Sequence, residues 1–119
     1  MKILAFVAVI IVAALHFGFL MLEMFYWDHP IGQKIFSMTA EESAKTAVLA
    51  ANQGLYNGFL AAGLIWGAIS GKRDFVVFFL LCVIVAGVFG GVTAKPAIFL
   101  TQAAPGAVAL LLTFFTKAR

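Results

Sequence analysis

The chain has 119 residues, of which 64% are apolar and 11% are charged, with a formal net charge of +3. Ordinary globular domains have about 45–50% apolar and about 25% charged residues, so this chain has too little polar surface to cover a soluble globule of its length. Its 8 basic residues stand singly or in pairs at the ends of apolar segments. This placement predicts contact with membrane lipid headgroups and no nucleic-acid partner.

Four apolar segments follow one another along the chain, each close to the about 20 residues that a helix needs to cross a bilayer. The first ends at the aromatic residues Tyr26 and Trp27 and is stopped by Pro30, as expected at a headgroup boundary. Thr39 and Glu42 have the spacing of a capping box, which predicts that the second helix begins before it enters the bilayer. The predicted spans are residues 3–26, 46–69, 75–92 and 97–115, and the long connection is 28–45.

The short connections predict an antiparallel four-helix transmembrane bundle, formed by residues 1–119 as a single all-α membrane domain. The distribution of basic residues predicts its orientation, because the side with more of them faces the cytoplasm. Lys2, Lys72, Arg73, Lys117 and Arg119 fall on one side, against Lys34, Lys45 and Lys95 on the other. We therefore expect both termini in the cytoplasm and a multi-pass protein of the bacterial inner membrane.

Glycines recur at intervals of four residues in two of the predicted helices. Gly54 and Gly58 lie in the second helix, and Gly87 and Gly91 lie in the third. Small residues at this spacing allow helix backbones to approach closely in lipid. The pattern predicts close helix contacts, and it leaves open whether the partner is another helix of the chain or a second copy in a homodimer.

Polar residues inside the predicted spans are the strongest indication of function. A charged or strongly polar side chain is costly in lipid, so it faces protein or water and acquires partners. With the predicted topology, three helices bring polar residues to the middle and outer third of the bilayer. We predict that they line one outward-opening polar pocket, formed by His16, Glu23, Asn52, Gln53, Tyr56, Asn57 and Gln102.

The sequence contains no pattern for a metal centre or a bound cofactor. A metal centre would require three or four converging His, Cys or carboxylate ligands, and only His16 and Glu23 are suitably placed. The lone Cys82 lies inside an apolar helix and is interpreted as a core residue. No nucleophilic triad, phosphate loop or haem motif is present, and no catalytic residue can be assigned.

Three stretches resemble a known family. They are LHFGFLMLEMFYW in the first helix, AANQGLYNGFLAAGLIWG in the second, and the Gln102–Pro105 element in the fourth. The chain resembles, over nearly its whole length, the bacterial membrane family catalogued as domain of unknown function 1304. The resemblance implies a four-helix inner-membrane protein, and it implies no activity or substrate.

Three functions remain open. The favoured one is a protein that binds or transports a small ligand, hydrophobic, cationic or otherwise protonatable, with Glu23 and His16 as protonatable groups. The second is a membrane enzyme acting on a lipid-soluble substrate such as a quinone, with the same two residues as an acid–base pair. The third is a structural subunit whose polar residues only hold the helices together. Whether the protein is an enzyme is undecided by sequence.

Overall fold

The computed structural model describes residues 2–115, and all regular structure in that part of the chain is helical. The prediction of an all-α chain is therefore confirmed. Lys117 and Arg119, which contribute to the predicted orientation, lie outside the described residues. The elements are α1 (Ile3–Phe25), α2 (Pro30–Ile35), α3 (Ala40–Ser70), α4 (Arg73–Thr93), a π-helical turn (Phe99–Ala103) and α5 (Ala104–Phe114).

Two of these helices, α1 with 23 residues and α4 with 21, are long and apolar enough to cross a membrane. The segment Phe99–Phe114 is also apolar but shorter. The helix α4 exceeds its predicted range of 75–92 by only two residues at its start and one at its end. Membrane crossing by all four segments stays a prediction.

The chain divides into two compact units. The first unit comprises the chain up to Leu15 and from Leu60 onward, and the second unit is His16–Phe59. The first unit has a hydrophobic core to which α1, α3, α4 and α5 all contribute. Its buried members are Val9, Val12, Ala13, Ala61, Leu64, Ala68, Val76, Leu80, Val83 and Ala109.

The turn between α3 and α4, in the first unit, is closed by a glycine. Gly71 has a φ of 70°, in the left-handed region that glycine adopts without steric cost. This conformation lets the Lys72 N–H donate to the Gly67 carbonyl at 2.9 Å, which satisfies one of the last carbonyls of α3. The chain can therefore reverse within two residues, as the predicted tight turn requires.

Immediately after this turn, Arg73 ties α4 to the end of α5. Its Nη2 atom donates to the carbonyl oxygens of Thr113, at 3.0 Å, and Phe114, at 2.9 Å. The last carbonyls of a helix have no partner within the helix, and they form the negative end of its dipole. A guanidinium group satisfies both needs at once.

The π-helical turn sits directly before Pro105. Proline has no N–H, and its ring collides with the carbonyl four residues earlier in an α-helix. In the π-helical turn the Ala104 N–H donates instead to the Phe99 carbonyl, five residues back, so the widened turn makes room for the proline ring. The predicted fourth helix, residues 97–115, is therefore irregular in its first third.

In the second unit, the connection predicted as a loop over 28–45 contains the short helix α2. Pro30 occupies its first turn, and the His29 ring accepts a hydrogen bond from the Ile31 N–H at 3.1 Å. The sequence did not predict this helix, because six residues are too few to show a helical period and histidine is not a usual N-cap residue.

The start of α3 confirms the predicted capping box. The Glu42 N–H donates to Thr39 Oγ1 at 3.1 Å, and the Thr39 N–H donates to Glu42 Oε1 at 2.8 Å. Hydrogen bonds from Thr39 to the Glu42 carboxyl, first that of the Thr39 backbone N–H and then that of its side chain, hold the pKa of this carboxyl below its ordinary value. The helix begins at Ala40, before the apolar part of α3.

Candidate functional site

The centre of the candidate site is a hydrogen bond between α1 and α3 in the second unit. Asn57 Nδ2 donates to Glu23 Oε1 at 2.5 Å, and both side chains are half-buried. These two residues lie 34 positions apart in the chain, and both belong to the set of seven predicted to line one pocket. The structure thus joins a carboxylate from α1, an apolar helix long enough to cross a membrane, to an amide from α3.

Glycines on α3 make this bond possible. A Cβ atom added at Gly54 would lie 2.7 Å from Met24 Cγ, 3.1 Å from Glu23 Cβ and 3.3 Å from the Leu20 carbonyl oxygen. One at Gly58 would lie 2.7 Å from Leu20 Cδ1. The two glycines therefore let α1 and α3 approach so closely that Asn57 reaches Glu23. The predicted close contact of these glycines is confirmed, and their partner is a helix of the same chain.

His16 belongs to the same helix as Glu23 and is fully buried. Its ring packs edge-on against Phe19, with centroids 5.0 Å apart. His16 precedes Glu23 by seven residues, which places the two on one face of α1 about 10 Å apart along the axis. The two residues share a face, as predicted, but they lie too far apart along α1 for a direct hydrogen bond between their side chains.

Three of the predicted pocket residues are exposed on α3. The side chains of Asn52 and Gln53 are exposed, and within the part of the chain that the structure describes neither amide has a hydrogen-bond partner. Tyr56 is 52% exposed, and its ring lies 6.0 Å from that of Phe59. These residues belong to the second unit together with Glu23, and among the described residues the hydrogen-bond partner of Glu23 is Asn57.

Gln102 lies in the first unit, on the π-helical turn. Its Nε2 atom donates to the Val83 carbonyl of α4 at 3.2 Å. At Gly87, α4 and the π-helical turn approach closely: a Cβ atom added at Gly87 would lie 2.6 Å from the Ala103 nitrogen. Gly91 likewise faces the Phe99 ring, where an added Cβ would come within 2.6 Å. The predicted close contacts of both glycines are confirmed, whereas a pocket shared by all seven polar residues stays a prediction.

The charge of Glu23 is not balanced by a basic side chain. Among residues 2–115 the one salt bridge joins Lys45 to Glu41, at 3.4 Å on the exposed start of α3. The partner of Glu23 is the neutral Asn57 amide, which occupies only part of the hydrogen-bonding capacity of a carboxylate. The remaining oxygen can therefore take a proton or a cationic group.

A second polar cluster, in the connection between α1 and α3, was missed by sequence reasoning. Ser43 is fully buried; its Oγ donates to Asp28 Oδ1 at 2.7 Å and accepts from Gln33 Nε2 at 3.0 Å. Beside it, Trp27 Nε1 donates to Thr46 Oγ1 at 2.9 Å. No spacing rule links residues 15 or 19 positions apart in a connection, so the sequence carries no signal for this cluster, which anchors α2 to α3.

These features describe a small helical chain with two apolar helices long enough to cross a membrane, α1 and α4, and a carboxylate–amide pair between α1 and α3. The chain belongs to the family described as "protein of unknown function (DUF1304)", whose model matches residues 10–114. A relative from Lactococcus lactis subsp. lactis (strain IL1403), described as "Uncharacterized protein YpaA", is 32% identical over 119 residues, covering 97% of this chain and 100% of the relative. No solved structure matches the chain.

Proposed function

We propose that the chain is a four-span protein of the bacterial inner membrane that binds or transports a small cationic or protonatable, lipid-soluble ligand at Glu23 and Asn57. In this proposal both termini are cytoplasmic, and the site is reached from the outer side. The observation that carries it is the Glu23 carboxylate between α1 and α3, which has a neutral amide and no basic side chain as its partner within residues 2–115.

The surface of the chain supports a lipid environment. Large apolar side chains are exposed along whole helices, and on α4 they include Phe78, Val85, Phe89 and Val92, each at least 60% exposed. A contiguous apolar surface of this kind is rare on soluble monomers. In lipid the same side chains are well solvated, so the exposed face of α4 is stable without a protein partner.

The topology is tested by labelling single cysteines with an impermeant thiol reagent in cells, after replacement of Cys82 by alanine. Lys34 and Lys72 are exposed, so Lys34→Cys and Lys72→Cys leave the folded chain undisturbed. We expect labelling of Lys34→Cys from outside and of Lys72→Cys only after permeabilisation. The opposite pattern reverses the orientation, and labelling of both in intact cells contradicts the four-span arrangement.

The unbalanced carboxylate determines the class of ligand. A carboxylate within a bilayer is costly unless it is paired, and such residues commonly mark proton or substrate pathways. Asn57 orients the Glu23 carboxylate but does not neutralise it. In the protein without ligand, a proton neutralises the Glu23 carboxylate. A cationic ligand that displaces this proton gains the full charge interaction with the carboxylate. Binding of the ligand and release of the proton are then coupled.

The test uses tetraphenylphosphonium, a lipophilic cation, and purified protein in dodecyl maltoside. We expect calorimetry in two buffers of different ionisation enthalpy to show binding with release of about one proton. Glu23→Gln keeps the shape of the side chain and its hydrogen bond but removes the charge, so it should abolish both the binding of the cation and the release of the proton. Glu41→Gln, the same substitution at an exposed carboxylate outside the predicted pocket, is the matched control. Equal binding by wild type and Glu23→Gln, or binding by neither, refutes the proposal for cations of this class.

One observation favours a structural role as the second candidate. The Glu23–Asn57 bond and the Gln102–Val83 bond each tie two helical elements together, as hydrogen bonds between membrane helices do at about 0.6 kcal/mol each. If that is their whole role, Glu23→Gln retains the bond to Asn57 and alters neither stability nor binding. The enzyme alternative is less favoured. An acid and a base acting on one group must each lie within about 3 Å of it and so within about 6 Å of each other, whereas His16 and Glu23 are about 10 Å apart along α1.

A further inference from the structure

The exposed side of α3 in the second unit carries a regular row of side chains. Leu49, Asn52, Tyr56 and Phe59, the α3 seam, follow each other at intervals of three, four and three residues. Leu49 is 72% exposed, Tyr56 52% and Phe59 55%, and Asn52 is also exposed. Intervals that alternate between three and four residues keep a row of side chains on the seam between two helices wound around each other in a left-handed coil.

The opposite side of α3 is already occupied. Ala50 is buried, and Gly54, Asn57 and Gly58 contact α1, as described above. In the seven-residue repeat of the seam these residues all take outer positions, which point away from the seam. One helix thus has two distinct faces: one packs within the chain, and the other is regular, bulky and uncovered.

Asn52 makes the uncovered face unusual. Its amide has no hydrogen-bond partner in the described part of the chain, and lipid tails offer none. Amide side chains at membrane depth therefore drive association with another polar group. An amide is both donor and acceptor, so two copies of Asn52 related by a two-fold axis satisfy each other.

We propose that the α3 seam is the interface of a parallel homodimer, in which Asn52 pairs with the partner subunit's Asn52. The inference rests on the proposed membrane crossing, because two copies with one topology can only pair α3 in parallel about an axis normal to the membrane. In that geometry every seam residue meets its own equivalent. The two helices cross at about 20°, and Tyr56 and Phe59 supply the apolar contact beside the amide pair.

A second copy fits this face better than other occupants do. Lipid covers the Leu49 and Phe59 side chains but leaves the Asn52 amide without a partner. A different protein would need a polar group placed at one depth opposite Asn52, whereas a second copy supplies it by symmetry. A single polar residue within an apolar seam also fixes the register of two helices, so only one alignment satisfies the amides.

The experiment is disulfide cross-linking of the full chain in native membranes, with Cys82 replaced by alanine. Leu49→Cys and Tyr56→Cys lie on the seam and leave Asn52 in place. Met21→Cys is the matched control, because Met21 is exposed on α1 next to Leu20, the residue that packs against Gly54 and Gly58. We expect oxidation with copper phenanthroline to link most of both seam variants and little of the control.

Asn52→Leu supplies the second measurement. Asn52 is exposed in the single chain, so this change leaves the fold intact, which circular dichroism checks. Removal of the amide pair should raise the dimer dissociation constant, measured by energy transfer in liposomes, by roughly 3- to 30-fold. Equal linking of Met21→Cys and the seam variants, no linking in a chain whose topology labelling shows insertion, or an unchanged dissociation constant each overturns the dimer. Loss of cation binding in the separate Glu23→Gln test bears on the ligand site alone.

Discussion

Gly87→Ala tests the packing of α4 against the π-helical turn. The added Cβ would lie 2.6 Å from the Ala103 nitrogen and 2.9 Å from its Cα, both backbone atoms that cannot rotate away. Ordinary contact begins at 3.4 Å, so the two elements must separate by about 0.8 Å and strain the Gln102–Val83 hydrogen bond. Overpacking of this kind costs about 3 kcal/mol at its upper end. The higher helix propensity of alanine offsets about 1 kcal/mol of this cost, so the free energy of unfolding should fall by about 2 kcal/mol.

Gly18→Ala is the control, because a Cβ added at Gly18 meets nothing within 4 Å. It should stabilise the chain by about 0.5–1 kcal/mol through helix propensity alone. The free energy of unfolding is measured by far-ultraviolet circular dichroism during titration of dodecyl maltoside micelles with sodium dodecyl sulfate. If Gly87→Ala is as stable as Gly18→Ala, the close approach of α4 to the π-helical turn is wrong.

Two further predictions concern the ends of helices. Arg73→Met removes a charged donor from the two carbonyls at the end of α5 and should lower the free energy of unfolding by about 1.5–3 kcal/mol. The control Lys72→Met, at an exposed neighbouring position, should change it little. Equal effects of the two substitutions would contradict the capping role of Arg73. Because the pKa of Glu42 is lowered by folding from 4.5, its contribution to stability is complete above that pH and is lost as the pH falls through the folded pKa. Unfolding titrations should therefore show a loss of stability below pH 4.5 that is smaller in Glu42→Gln, and parallel pH profiles of the two proteins would refute the capping box as its source.

Much of the helical structure could be predicted because it depends on local signals. Apolar run lengths predicted α1 and α4 to within two residues at each end, and the Thr39–Glu42 pair predicted the start of α3. The π-helical turn was not predicted, because Pro105 signals a disturbed helix without indicating how the backbone accommodates it. The helix α2 was not predicted either, since six residues show no helical period and its hydrogen bond from Gln33 to Ser43 joins residues ten positions apart.

Part of the candidate site could be predicted from the sequence. Glu23 and Asn57 were both predicted to line the pocket, and the structure joins them by a hydrogen bond, while the pocket as a whole stays a prediction. Asn52 lies five residues before Asn57, which rotates it about 140° around α3. One neighbouring helix covers only part of such an arc, so a polar set that spans it cannot all face α1. The helical phase alone does not predict which edge of this arc packs against α1. In the structure it is the edge that carries Asn57.

The two compact units each contain one tryptophan, and the sequence has 2 in all. Trp27 belongs to the second unit, where Thr46 accepts a hydrogen bond from its indole, and Trp66 belongs to the first, with 68% of its surface exposed. Intrinsic fluorescence of Trp27→Phe therefore reports only on the first unit, and that of Trp66→Phe only on the second. The cooperativity of unfolding becomes directly measurable: coincident transitions mean that both units melt as one, and separated transitions mean that each is an independent folding unit.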